Sequence, residues 1–404
     1  MPSITRRRFL AAVGTALGVT AGSYGAYRLH RGATDAAFDP WTPPSGTWPL
    51  RRHDPANTAH NPTATPPRER PAVRRIGSAP SASRRPRFAP LVGPEHLVVY
   101  GSGFAAYPSD GGDATDEREA PTPLAGFGPA GRLLTIARDD AAAPVAIVDH
   151  APADLRETAR FPLDADHPQG LIVGSREAYV GGQDGTLRAL DPDTGRRWRA
   201  DGAMPALGDG RLYAADAPLD GTVAYTERRG LDRRLGVGPR RAWSAGAIDG
   251  FPHRPAVAGG RVVLGTSAEA GGVLAAVDAG TGERLWTRPL GRDVSTPALV
   301  DDTGYVAVGG DVAGFVAAVD LPTGETRWRD DVDWRAAEPV VGDETLVVAG
   351  EMRQAGEAGG VIRAYDVATG DSLWTRTLED VPGGLALVGE RVFATVGASL
   401  YALR

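Results

Sequence analysis

Across its 404 residues the chain contains neither cysteine nor lysine. Without cysteine there is no disulfide, no thiolate nucleophile, no Cys-ligated zinc and no lipid-modified cysteine. Without lysine there is no P-loop and no Schiff-base chemistry. Histidine is sparse as well: the seven stand at 30, 53, 60, 96, 150, 167 and 253. Only His53 and His60 have a ligand-like spacing, and in a polar linker they read as a chance pair rather than a metal site. No stretch of the body carries a sustained helical period of apolar residues. Yet 42% of the residues are hydrophobic, enough for a real core.

Charge is distributed unevenly. Residues 1–31 hold five Arg and no acid, residues 32–87 hold nine Arg against four acids, and residues 88–404 hold 30 Arg against 46 acids. An acidic body is not a nucleic-acid partner. Arginine in place of lysine, with Asp ahead of Glu, resembles the proteins of salt-loving microbes; a GC-rich genome is the plainer source of the arginine. At the front, Thr5-Arg6-Arg7-Arg8-Phe9-Leu10 is followed by 19 uncharged residues, Phe9–Tyr27. This resembles a twin-arginine export signal. Residues 1–31 are therefore expected to be a signal peptide, or an uncleaved anchor tethering the chain to a membrane, and the protein is expected outside the cytoplasm. Residues 32–71, rich in Pro and Arg, read as a linker, and 72–404 as the folded domain.

That domain repeats itself. "DGTLRALDPDTGRRW", "GGVLAAVDAGTGERLW", "GFVAAVDLPTGETRW" and "GGVIRAYDVATGDSLW" end at Trp198, Trp286, Trp328 and Trp374, with a degenerate copy at Trp243. Successive Trp spacings are 45, 43, 42 and 46 residues. A period near 44 filled with short, Val-rich pieces bounded by Gly or Asp fits four strands per unit, and repeated four-stranded units make an all-β propeller. Each repeated residue has an expected structural task. Asp191, Asp278, Asp320 and Asp366 end the third strand and accept bonds from turn N–H groups, with Thr194, Thr281, Thr323 and Thr369 in the same turn. Gly195, Gly282, Gly324 and Gly370 supply a left-handed backbone. Trp198, Trp243, Trp286, Trp328 and Trp374 wedge between units. The chain ends after a third strand, "LYAL", so an outer strand at 72–77 ("AVRRIG") is expected to close the ring without leaving an edge. Eight blades follow, with seven as the alternative.

The Asp-x-x-Thr-Gly-x-x-x-Trp string resembles the tryptophan-docking motif of the pyrroloquinoline-quinone-like propeller family. "GTWPLRRHDPANTAHNP" (46–62) resembles the segment that precedes the first blade there. The resemblance implies two kinds of function. Quinoprotein dehydrogenases of this fold bind pyrroloquinoline quinone beside Ca²⁺ with an Asp base, and the alcohol enzymes add a disulfide of adjacent cysteines that this chain cannot form. A non-enzymatic branch scaffolds outer-membrane assembly in Gram-negative bacteria.

No catalytic set is legible. "GFGPAG" (126–131) satisfies a dinucleotide-type glycine pattern but opens no helix and reads as a blade turn. Asp301–Asp302 and Asp330–Asp331 read as solvated turn acids rather than calcium ligands. Departures from the repeat mark the surfaces free to evolve contacts: "SDGGDATDERE" (109–119), "ERRGLDRRLGVGPRR" (227–241) and "EMRQAGEAGG" (351–360). The first two are expected on one face and the third on the other. Arg228, Arg229, Arg233 and Arg234 are the expected partner contact. The expected function is a non-catalytic binding or scaffold module for a protein, peptide or glycan, with no cofactor and no metal; a quinone- and calcium-dependent dehydrogenase is the alternative.

Overall fold

A computed structural model of the chain describes residues 38, 40–78, 88–101, 103–109, 112–118, 121–138, 144–165, 167–215, 221–227, 238–246, 248–311, 313–354 and 357–404. The basic N-terminus, residues 1–31, lies outside them. Among the described residues the fold is all-β, apart from one 3-10 turn at Pro129–Gly131. That turn and the strand Leu124–Phe127 absorb the "GFGPAG" glycines. No helix of the described residues is long and apolar enough to cross a membrane.

The strand ladders divide into eight successive units of four antiparallel strands, of which the fifth and sixth share one sheet through Asp293–Gly309 and Val294–Val308. The units begin with the inner strands Leu91–Val92, Leu124–Phe127, Pro168–Val173, Ala203–Gly208, Ala256–Ala258, Ala298–Val300, Val340–Gly342 and Pro382–Val388. Each inner strand touches the next, and that of the last unit touches that of the first. The result is a ring of radially arranged blades, a β-propeller, around a central channel. Closure comes from the front of the chain. Val73–Ser78 pairs antiparallel with Ser399–Leu403, from Val73 against Leu403 to Ser78 against Ser399. The last blade thus gains the fourth strand that its own sequence lacks, and its edge is paired rather than left as a template for aggregation.

The repeat motif works between blades. Asp278 Oδ1 accepts the backbone N–H groups of Gly280 and Thr281 and the Thr281 hydroxyl. Asp320 does the same for the N–H and hydroxyl of Thr323, Asp366 for the N–H groups of Ala368 and Thr369, and Asp191 for those of Asp193 and Thr194. The Asp278, Asp320 and Asp366 turns each receive the indole of the preceding blade. Trp243 donates its Nε1–H to Ala279 O (3.0 Å), Trp286 to Leu321 O (2.7 Å) and Trp328 to Val367 O (3.0 Å). The ring lies flat on the turn glycine: a Cβ at Gly324, whose φ is +73°, would sit 2.7 Å from the Trp286 ring. Glycine is needed there twice, for the left-handed backbone and for the close approach. The two ends of the series differ. Trp198 bonds Glu177 of its own blade (3.1 Å), the following blade lacking the Asp-x-x-Thr-Gly turn. Trp374 bonds Pro67 O (2.6 Å), just ahead of the closing strand.

One sequence expectation is corrected by the ring. The stretch read as a linker lies in large part inside the ring. Residues 48–61 follow the channel wall and bond blade after blade: Val92 N–H donates to Trp48 O, Phe127 to Pro49 O, Leu207 to Pro55 O, Val257 to Ala56 O, Leu299 to Thr58 O and Val341 to Ala59 O. Trp48, Leu50 and Ala59 are buried. Even Trp41 is docked, through Nε1–H to Val173 O at 2.7 Å. The reason is an unmet need: inner strands face the channel with unpaired N–H groups, and a buried donor without a partner costs more than the segment's polarity would suggest. The stretch "EMRQAGEAGG" joins the second and third strands of its blade, on the face expected for it. It is the continuation of a hairpin, Thr345–Gln354 with Glu357–Asp366, whose pairing extends to Gln354 against Glu357. Similarly, Asp116–Arg118 of the acidic stretch forms the fourth strand of the first blade.

Truncation tests the closure. A chain starting at residue 81 loses the closing strand and the channel segment, and should elute as aggregate in size-exclusion chromatography; one starting at residue 38 should melt like the full chain. Soluble monomer from the longer truncation would refute the closure. Within the ring, Trp286→Ala should cost about 3–5 kcal/mol in denaturant titration, and Gly324→Ala should also destabilise the protein, because its Cβ meets the same indole.

Candidate functional site at the channel mouth

Blade topology fixes two faces. In a four-stranded antiparallel unit the connection from the fourth strand to the next inner strand shares a face with the turn between the second and third strands. The Asp-x-x-Thr-Gly turns occupy the opposite face. On the first of these faces the connections converge over the channel, and they carry His253-Arg254, Ser295, Arg335 to Glu338 and Val381 to Gly384. Together with Arg51 and Arg52 of the channel segment they line a cavity of about 370 Å³. Part of its wall is made of small residues, among them Ala336, Ala337, Gly350, Gly383 and Gly384. A larger cleft of about 720 Å³ lies between the second and third blades, lined by Phe161, Arg188 and Trp198. It borders residues 139–143, which are not described.

The charged groups at the mouth are held by backbone. Arg52, 1% exposed, donates to Pro297 O (2.5 Å), Pro339 O (3.4 Å) and Asn57 O (3.4 Å). Asn57 Nδ2 bonds Pro205 O (3.0 Å) and Pro255 O (2.9 Å). Four successive blades thus present the same proline carbonyl to the channel segment. Arg254 donates to Gln169 O at 2.7 Å. Glu338, 31% exposed, is the carboxylate nearest these cations, 3.6 Å from Arg51 and 3.8 Å from Arg52. Beside them Asp293 is shared by His253 (3.1 Å), Ser267 (2.6 Å) and Arg335 (2.8 Å).

Electrostatics follow from this crowding. Burial lowers Arg254 to about 9, helped by the neighbouring charge of Arg51, and lowers Arg52 to about 10. Burial alone would raise Glu338, but the combined field of Arg51, Arg52, Arg254 and His253 outweighs it and holds the carboxyl at about 2. Asp293 is held well below the usual carboxylate range, chiefly by the hydrogen bond from His253. In a neighbouring surface pocket, which shares Asp293 and Arg335 with the mouth cavity, stands Phe251, 69% exposed, in a two-residue strand that pairs with Thr266 and Ser267. Among the described residues no three His, Asp or Glu side chains gather as a metal-holding group.

The residues singled out from sequence lie elsewhere. The Asp, Thr, Gly and Trp of the repeat motif stand at the periphery, between blades, and do not reach the channel. Asp302 pairs with Arg261 (3.5 Å), Asp330 with Arg363 (3.2 Å) and Asp331 with Arg329 (2.6 Å). Arg228, Arg229, Arg233 and Arg234 fall outside the described residues. The mouth residues were missed because they are far apart in the chain, an Arg pair at 51–52 and single residues at 254 and 338. One signal was available: Pro recurs at 90, 205, 255, 297 and 339, and two residues after each comes the N–H that bonds the channel segment.

A sequence-family description, outer membrane protein assembly factor BamB, matches residues 183–310 and 269–404. No curated protein matches the chain. Among solved structures, the computationally designed Ika8 protein superposes with a TM-score of 0.62 at 12% identity, over 81% of this chain and 99% of its own. Sqt1 of Saccharomyces cerevisiae gives 0.59 at 11% identity, over 82% and 97%. The quinohemoprotein alcohol dehydrogenase ADHIIG of Pseudomonas putida HK5 gives 0.55 at 13% identity, over 87% and 69%. At such identities the likeness is one of fold.

The Glu338 carboxyl links the mouth to acid stability. Its folded pKa, about 2, lies below its ordinary 4.5, so its contribution is complete above 4.5 and disappears as pH falls toward 2. Glu338→Gln should therefore melt below the wild type at neutral pH, and the two melting curves should converge between 4.5 and 2. Curves that stay parallel through that window would remove the ion cluster as the cause.

Proposed function

The chain belongs to the BamB family of repeat propellers, and we propose that it is an exported, non-catalytic binding or scaffold module for a protein, peptide or glycan. Export rests on the twin-arginine-like front and on the outer-membrane role named for the family. The observation that carries the binding reading is Phe251. Among the described residues only Val73, Phe251 and Leu285 are large apolar side chains left exposed, and Phe251 is the most exposed of them. It lines a surface pocket with Arg292 and Arg335, next to the mouth cavity, with which that pocket shares Asp293 and Arg335, and exposed aromatic and arginine side chains side by side are the composition of contact surfaces. The channel itself is lined by the chain's own segment, which leaves the mouth and the pocket beside it as the place where the ring meets a partner.

Two measurements test the reading. Pyrroloquinoline quinone and Ca²⁺ added to the purified protein should give no dye-linked oxidation of alcohols or sugars; turnover would replace the scaffold with a dehydrogenase. Cross-linking in the native envelope should lose its partner band in Phe251→Ala at an unchanged melting temperature. Reversal of Arg228, Arg229, Arg233 and Arg234 to Glu tests the contact expected from the sequence. Loss of the band only in that variant would move the contact there.

A further inference from the structure

At the mouth the charges do not balance. Arg51, Arg52 and Arg254 are served by one carboxylate, Glu338, at 3.6 and 3.8 Å from the first two. Arg335 and Asp293 form their own pair at 2.8 Å. Among the described residues no carboxylate stands within ion-pair distance of Arg254. Four arginines (Arg51, Arg52, Arg254 and Arg335) and three carboxylates (Asp293, Glu338 and Glu351) line the cavity, so one positive charge remains over, on a body whose residues 88–404 carry 16 more acids than arginines. Such a surplus is costly where the groups are withdrawn from water, and Arg52 is almost wholly buried. Nothing in the packing demands it: the proline carbonyls that Arg52 engages could equally be met by an amide such as Asn57. The surplus also faces open space, a cavity of about 370 Å³.

We infer that the channel mouth is a binding site for carboxylates, taking a dicarboxylate or two neighbouring acidic side chains between Arg51 and Arg254. Guanidinium forks meet carboxylate oxygens in pairs, and their rigidity leaves little entropy to lose. A dicarboxylate can offer one carboxylate to each of these two arginines. Glu338 already shows that the cluster accepts a carboxylate, and its loose distances leave the remaining N–H groups to a ligand. Small residues in part of the wall (Ala336, Ala337, Gly350, Gly383, Gly384) admit a group of the size of one or two residues. The inference deepens the binding reading given above, by naming the chemistry that the mouth recognises, and the ligand's source decides how the two stand together.

Calorimetric titration of the full chain with succinate, with the blocked peptide acetyl-Glu-Glu-amide and with its Gln-Gln counterpart is the test. Succinate or the acidic peptide should bind, and the Gln-Gln peptide should not. Arg254→Gln and Arg51→Gln should each weaken binding about 10- to 100-fold, the usual worth of a charged hydrogen bond. Arg51 is at the cavity edge, so its variant keeps the test valid should Arg254→Gln fail to fold. Glu338→Gln removes the competing carboxylate and should tighten binding several-fold, whereas a purely structural cluster would show no gain. Absence of binding in the folded wild type, unchanged affinity in both arginine variants, or no gain in Glu338→Gln overturns the site. Inorganic phosphate binding tenfold tighter than succinate overturns the carboxylate class. Peptide preferred over succinate places the ligand on a partner protein. Succinate preferred supports the anion site and withdraws its support from the partner reading.

Discussion

Everything in this molecule depends on satisfying the inner edges of the blades. A ring of short strands around a channel turns eight sets of N–H and C=O groups toward its axis, and a channel too narrow for bulk water would leave them unmet. Residues 48–61 meet them. The segment accepts N–H groups from Val92, Phe127, Leu207, Val257, Leu299 and Val341, and Asn61 Nδ2 reaches Leu387 O of the last blade at 2.8 Å. One peptide is thereby bonded to blades on every side of the axis, and it couples units that otherwise contact only their neighbours. The price is backbone strain: His53, Asn57 and Ala59 all carry positive φ. Asn accepts that region readily, Ala does not.

A second set of contacts acts at the periphery, with the opposite economy. Each Trp-to-turn junction is repeated from blade to blade and involves only adjacent units. Trp286 on Gly324 and Trp328 on Gly370 are the same contact one blade apart. Such contacts fix the angle between neighbours and leave the overall closure to the two long-range elements, the channel segment and the strand Val73–Ser78. Where the motif fails, between the third and fourth blades, Trp198 turns to Glu177 instead, and a cleft of about 720 Å³ opens between the second and third blades.

The mouth is where the two systems meet. Arg52 spans from the channel segment to the proline carbonyls of the sixth and seventh blades, so a group bound there touches the segment and the ring together. Binding and integrity of the ring share residues for that reason. The neighbouring Asp293 cluster, with His253, Ser267 and Arg335, joins the fifth blade to the connection leading into the seventh, and Phe251 stands in the adjoining pocket that shares Asp293 and Arg335.

By itself the sequence determined the repeating unit. The spacing of Trp243, Trp286, Trp328 and Trp374, the Asp and Gly of each turn, and the missing last strand follow from local rules of turn geometry and edge pairing, which act over a few residues and leave a period in the letters. Even the closing strand was legible, because an unpaired edge must be filled. The role of residues 48–61 was not, since polar, proline-rich sequence reads as solvated until an inner ring of free N–H groups is placed around it. Nor was the mouth. Arg51, Arg254 and Glu338 are separated by up to 287 positions, have no period and conform to no motif. They become one site only because the ring brings the starts of its inner strands to a common axis, where burial and mutual charge give them a chemistry that none has alone.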